Sequence, residues 1–240
     1  VSVMELFRAS PLGLIGCFGS GLAQGAFFSL AAVYATLIGY NVASTALFLA
    51  LPLFCVILVQ FPIGALSDRF DRRVVLTALT LVVAGMALAN VFASFGPVLF
   101  QLIAVAVFGG LMIPLYSLSI AHMNDYIATD QMLGASSKMV LVYGVGSAIG
   151  PLMVGGVMHG VGELGFFWCL SVVHLIVGLF GLYRMTRRDS MSLEEQGGFV
   201  LVAPRATPIA AGVAMQMVEE SSEIVEPEEI DVGLQPDLSE

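Results

Sequence analysis

From Ala9 through Ser67 the chain carries no Asp, Glu, Lys or Arg, and the same holds from Val74 through Asn124, Met139 through Gly162 and Leu164 through Tyr183. A hydrocarbon core takes roughly 20 consecutive apolar residues per helix, and lipid offers no partner to an open backbone, so such runs fold as membrane-spanning helices. The first two runs have room for two spans each and the last two for one each, which predicts six. A single soluble globule is excluded by composition. The chain is 58% hydrophobic and 11% charged, with a mean hydropathy of +0.94, whereas soluble domains carry about 25% charged residues.

Turn and capping signals place the spans at about 12–37, 44–66, 74–92, 98–121, 132–158 and 166–183. Ser10-Pro11 opens the first, Gly39-Tyr40-Asn41 breaks it, and Ser94-Phe95-Gly96-Pro97 is a tight turn between the third and fourth. The fold class predicted is an all-α membrane protein. Residues 1–188 form a six-span transmembrane domain, followed by an acidic tail over 189–240.

The formal charge of −9 is uneven. Residues 1–188 hold eight Lys and Arg against six Asp and Glu, whereas 189–240 hold twelve acids against Arg205 alone. The negativity therefore sits in the tail, which reads as a solvated end. Basic residues collect in short cytoplasmic loops. Arg8, the Arg69 to Arg73 cluster, and Arg184, Arg187 and Arg188 all fall on one side if the spans alternate, and the opposite loops hold no Lys or Arg. Lys138 lies near that same side, where its stem can snorkel. Both termini of the segment are therefore expected in the cytoplasm, in a cell membrane. Position 1 is Val rather than Met, so the chain is expected to begin inside a longer protein.

The loop between spans two and three reads Gly64-Ala65-Leu66-Ser67-Asp68-Arg69-Phe70-Asp71-Arg72-Arg73. It resembles the signature G-x-L-x-D-R-x-G-R-R of the major facilitator superfamily, found between the second and third helices of each six-helix half. The physical reading is that Gly64 lets helices approach, Asp68 meets a helix amino terminus or an arginine, and Arg69, Arg72 and Arg73 hold the loop at the membrane surface. The resemblance implies a latch that stabilises the outward-facing state. Asp71 departs from the pattern, standing where the family has glycine. A plain positive-inside stop signal is the other reading of these charges.

Span five contains Gly144-Val145-Gly146-Ser147-Ala148-Ile149-Gly150-Pro151-Leu152-Met153-Val154-Gly155-Gly156. This is similar to the family's G-x-x-x-G-P-x-x-G-G exporter helix, with one extra residue between Pro151 and Gly155. Gly144, Gly146, Gly150, Pro151 and Gly155 are read as a hinge that bares one helix face, with generic helix packing as the alternative. A dinucleotide-binding reading fails on glycine spacing and on the absence of a preceding strand. The resemblance covers Arg8 to Arg188 and implies the carboxyl-terminal half of a twelve-span secondary transporter, whose two repeats flank a central cavity. The partners implied are the lipid bilayer, a small-molecule substrate, and the amino-terminal six-helix half or a second copy. No cofactor and no nucleic-acid partner are expected.

Binding sites in such a fold lie near mid-membrane between the halves, so polar and aromatic residues at that depth are the candidates: Gln24 and Phe28 in span one, Tyr116 in span four, and Tyr143 and Ser147 in span five. For each, a helix-to-helix hydrogen bond or packing contact is the competing reading. His174, midway along span six, reads as a proton relay or as a packing histidine. His122, Asn124, Asp125 and Asp130 after span four read as a polar latch or, less simply, a metal site. Cys17, Cys55 and Cys169 form no metal or redox pattern.

The function implied is transport of a small solute by alternating access, with export suggested by the span-five pattern. The alternatives are a six-span receptor or scaffold signalling through its acidic tail, and an intramembrane hydrolase. The last has no support, because Phe18-Gly19-Ser20-Gly21 lacks the leading glycine of a serine motif and no membrane aspartate pair is present. The topology is open to direct measurement: tags inserted at residues 41 and 70 are expected to report opposite compartments, and a shared compartment would sink the six-span reading.

Overall fold

The computed structural model describes residues 2–128 and 131–187. Asp130, Arg188 and the acidic tail lie outside the described residues. Among the described residues eight helices follow one another: α1 (Val3–Ala9), α2 (Pro11–Leu37), α3 (Val42–Arg69), α4 (Arg72–Ala93), α5 (Val98–Met112), α6 (Pro114–Asn124), α7 (Met132–Val161) and α8 (Gly165–Met185). Among the described residues six spans are long and apolar enough to cross a membrane, α5 and α6 together counting as one. The chain is thus an all-α six-helix membrane bundle.

Local chemistry sets the helix ends. α1 was not foreseen, although its capping box is legible: the Ser2 hydroxyl accepts from the Glu5 amide, and the Ser2 amide donates back to the Glu5 carboxylate at 2.7 Å. That amide also holds the Glu5 carboxyl below its ordinary pKa. Ser10 caps α2 by accepting from the Gly13 amide, with Pro11 in the first turn. Gly39 leaves α2 at φ +86°, a left-handed conformation that glycine adopts without strain, and Asn41 then caps α3. α4 starts at Arg72, slightly ahead of the expected start of span three, because the Asp71 carboxylate accepts from the Arg73 amide.

Span four differs most from expectation. Read from sequence as one helix, it is two, parted at Ile113 before Pro114. Proline has no N–H to donate to Gly110 and its ring crowds the preceding turn, which accounts for the break. α6 also continues to Asn124, so His122 is a buried helix residue and not a loop residue.

α2 is the centre of the bundle, packed on α7, α6, α8 and α3. Its tightest contact is with α7. A Cβ built on Gly21 would collide with the Tyr143 carbonyl, one on Gly25 with the backbone of Ser147, and one on Gly150 with the Leu22 carbonyl. A Cβ on Gly146 would lie 2.5 Å from the Phe18 carbonyl oxygen. Because lipid tails are as apolar as leucine, this backbone-to-backbone approach, rather than hydrophobic burial, is what joins the two helices. Between α8 and α4 a glycine instead receives a side chain, since a Cβ on Gly178 would sit 2.5 Å from Leu81 Cδ2.

At the end opposite the basic residues, six rings from four helices interlock: Phe27, Tyr34, Phe48, Phe108, Phe166 and Phe167. Tyr34 stacks on Phe166 at 4.9 Å, and Phe166 meets Phe167 edge-on. Gln101 secures this end by donating to the Tyr34 hydroxyl at 2.7 Å and accepting from the Tyr40 hydroxyl at 2.8 Å. The bundle is lopsided. In the most apolar stretch of α2, 67% of residues are buried, against 11% in α3 and 17% in α7. Those two helices expose Phe54, Leu58 and Phe61, and Leu141 and Leu152.

Gly150→Val is expected to lower stability by about 1–3 kcal/mol or more, since a packed backbone contact must open. Gly85→Ala, at a site with open space around it, is expected to leave the unfolding midpoint in detergent unchanged. Equal melting of the two variants would refute the glycine-mediated contact.

Candidate functional site

The first polar centre lies at the basic end. Arg72, the first residue of α4, is 1% exposed. Its guanidinium donates from Nε to Ser67 Oγ at 3.0 Å, from one terminal nitrogen to the Ala121 carbonyl at 3.2 Å and to the Asp125 carboxylate at 2.5 Å, and from the other to Asp68 at 3.3 Å. One side chain therefore ties the end of α3, the start of α4 and the end of α6. Asp125 is nearly as buried as Arg72, whereas the Asp68 side chain is 45% exposed. The cation also faces the carboxyl end of α6, where the helix dipole favours positive charge. His122 Nδ1 is 4.0 Å from the second Asp125 oxygen, and its ring meets Tyr126 edge-on. Arg73 pairs instead with Asp71 at 3.0 Å. The residue that departs from the signature loop thus both caps α4 and holds the neighbouring arginine.

The second centre lies at mid-span. Gln24 is 1% exposed and donates its amide to the carbonyls of Met112 and Ile113 at 3.4 and 3.3 Å, at the break in span four. The Tyr143 hydroxyl donates to Gln24 Oε1 at 3.2 Å, and the Tyr143 and Tyr116 rings meet edge-on at 4.7 Å. A side-chain amide thus satisfies backbone groups at the point where the helix is interrupted, as a membrane interior requires.

The sequence profile of the Major Facilitator Superfamily matches residues 7–218. The chain belongs to the Major Facilitator Superfamily. Among curated relatives it is 28% identical over 177 residues to the MFS-type transporter YcaD of Salmonella arizonae, and 29% identical to those of Shigella sonnei and Escherichia coli. Each alignment takes in 73% of this chain and 45% of the relative, so the chain spans about half the length of the curated relatives it matches.

Within this superfamily half, the residues singled out from sequence divide by place. In the signature loop Gly64 is buried, Asp68 and Arg72 share the ionic joint, Arg73 pairs with Asp71, and Arg69 is exposed. In the glycine-rich helix Gly146 and Gly150 press on α2, Gly144 has open space around it, a Cβ on Gly155 would meet Leu30 Cδ1 at 3.9 Å, and Pro151 lies inside a continuous α7. Of the lining candidates, Gln24 and Tyr116 are buried within the half, Tyr143 and Ser147 are half-buried on α7, and Phe28 is 39% exposed on α2. His122 and Asp125, grouped with Asn124 and Asp130 from sequence, belong to the Arg72 joint; Asp130 lies outside the described residues. No group of His, Cys, Asp and Glu suited to a metal is found among the described residues. Ser67 and the Ala121 carbonyl were missed. Nothing in sequence marks a carbonyl as an arginine partner, but Ser67 lies inside the signature loop, directly before Asp68.

Arg72→Ala leaves Asp125 buried without its main counter-charge and is expected to cost about 3–5 kcal/mol, whereas Arg72→Met with Asp125→Leu recovers most of that loss. The check is the heat-unfolding midpoint of the detergent-purified variants, and a double variant no better than the single would contradict the joint. Gln24→Leu, which strands two carbonyls and a tyrosine hydroxyl, is expected to cost about 1–3 kcal/mol by the same measurement.

Proposed function

We propose that the chain is the carboxyl-terminal six-helix half of a secondary transporter that exports a small solute by alternating access, with its basic end at the cytoplasmic face. The observation that carries this reading is the Arg72 joint. A buried arginine shared by Ser67, Asp68, Asp125 and the end of α6 fixes three span ends to one another at the face where a rocking half must open and close. Asp68 is the exposed member, so it is the charge placed to meet the other half in one state and to turn back to Arg72 in the other.

Two further observations support the reading. α3 and α7 leave their apolar faces uncovered, and the curated relatives are about twice as long as the matched segment, so a second six-helix half is the occupant proposed for those faces. Export is supported by the likeness of the α7 glycine pattern to the family's exporter helix. Gln24 and Tyr116 hold the interior of the half, which leaves Phe28, Tyr143 and Ser147 as its proposed substrate contacts.

Alternating access is tested with single cysteines on the exposed faces of α3 and α7, at Phe54, Leu58, Phe61, Leu141 and Leu152 in turn, in the full-length protein. In sealed vesicles of both orientations, at least one position is expected to react with a membrane-impermeant thiol reagent from either side. Asp68→Asn is expected to shift that ratio several-fold toward the cytoplasmic side. A set in which no position reacts from both sides would overturn the proposal.

A further inference from the structure

α2, α4, α6 and α8 enclose a small cavity separate from both polar centres, with Ser20, Thr80, Ser119 and His174 in its walls. Glycines on α2 make the space. A Cβ at Gly16 would lie 2.6 Å from Ser119 Oγ, and one at Gly19 would lie 2.7 Å from Val177 Cγ2. His174 is 2% exposed, and its Nδ1 lies 2.7 Å from the Leu170 carbonyl. A carbonyl only accepts, so Nδ1 carries the proton, and in the neutral ring Nε2 is left as an acceptor. Nε2 is fully buried and has no hydrogen-bond partner. Such an atom in hydrocarbon loses the whole of its solvation unless something donates to it.

Thr80 and Ser119 cannot supply that donor. Thr80 Oγ1 already donates to the Leu76 carbonyl and Ser119 Oγ to the Leu115 carbonyl, each at 2.7 Å. Their hydrogens are spent, and each offers the cavity lone pairs only. The residues lining the cavity therefore carry three acceptors, His174 Nε2, Thr80 Oγ1 and Ser119 Oγ, with the Ser20 hydroxyl as the available donor. We propose that this cavity is the binding site of a single internal water, which donates to His174 Nε2 and to a Thr80 or Ser119 oxygen and accepts from Ser20. Water matches this set: it brings two hydrogens and two lone pairs, and a site of this kind needs room for one molecule and two to four polar partners. An apolar occupant would leave Nε2 unpaired. The bound water pins α8 to the three helices it packs among at a level where those helices share no direct side-chain hydrogen bond with His174. His174 is then held as a neutral packing residue, and the proton-relay reading of this residue gives way.

The experiment is magic-angle-spinning NMR on full-length protein labelled with ¹⁵N-histidine and ¹³C-leucine in lipid bilayers. The His174 ring is assigned by contact of its Nδ1 proton with the Leu170 carbonyl, which needs no variant. The expected result is an unprotonated Nε2 with a cross-peak to water protons. Ser20→Val, which removes the donor and fills the space, is expected to abolish that cross-peak while the Nδ1 contact persists. Thr80→Val serves in its place should Ser20→Val fail to accumulate. An Nε2 without a water cross-peak in the unaltered protein, or an Nε2 that carries a proton, overturns the proposal. Neither result bears on alternating access, because the site lies within one half.

Discussion

Hydrocarbon gives helices no reason to hide apolar surface from it, so this bundle depends on how closely backbones can approach. The α2–α7 contact supplies that approach. Gly21 and Gly25 on one helix and Gly146 and Gly150 on the other each leave space that any side chain would fill with a collision. With the axes this close, dispersion between two main chains replaces the hydrophobic effect as the source of attraction. The position of α2 at the centre, and therefore the depth of Gln24, Ser20 and Phe27, follows from that contact.

Placing Gln24 at the centre then settles how span four is tolerated. Pro114 breaks the α5–α6 ladder by leaving the Gly110 carbonyl without its helical amide, and the Gln24 amide donates to the neighbouring carbonyls of Met112 and Ile113. Tyr143 reaches across from α7 to occupy the remaining Gln24 oxygen. The packing of α7 on α2 and the broken span four are thus coupled through one side chain. A movement of α7 would pull on the hydrogen bonds that keep the break satisfied.

Much of the fold was legible because the membrane imposes long, charge-free runs, and four of them, with room for six spans, can be read directly between Ala9 and Tyr183. The helix break was not, since Pro52, Pro62 and Pro151 all lie inside continuous helices and Pro114 carries no distinguishing local signal. The glycine-rich segment shows the same limit. Gly146 and Gly150 are one turn apart and meet the α2 backbone, while Gly144 faces open space and Gly155 comes no nearer to α2 than the Leu30 side chain, and only the position of α2 distinguishes them. At the signature loop, composition pointed to charge at a membrane surface. It could not show that Arg72 is buried or that its strongest partner, Asp125, arrives from 53 residues away.

The two arginines of that loop differ in consequence although they are adjacent. Arg73 is paired with Asp71, two residues away, so that ion pair lies within one helix start and moves with α4. Arg72 spans three elements, and any displacement of α6 from the α3–α4 turn must first separate two nearly buried charges, Arg72 and Asp125. Separating such a pair in low dielectric is far costlier than separating an exposed one. Asp68, half in solvent, can leave Arg72 at much smaller cost. The joint is therefore stiff toward the inside of the half and yielding toward its surface.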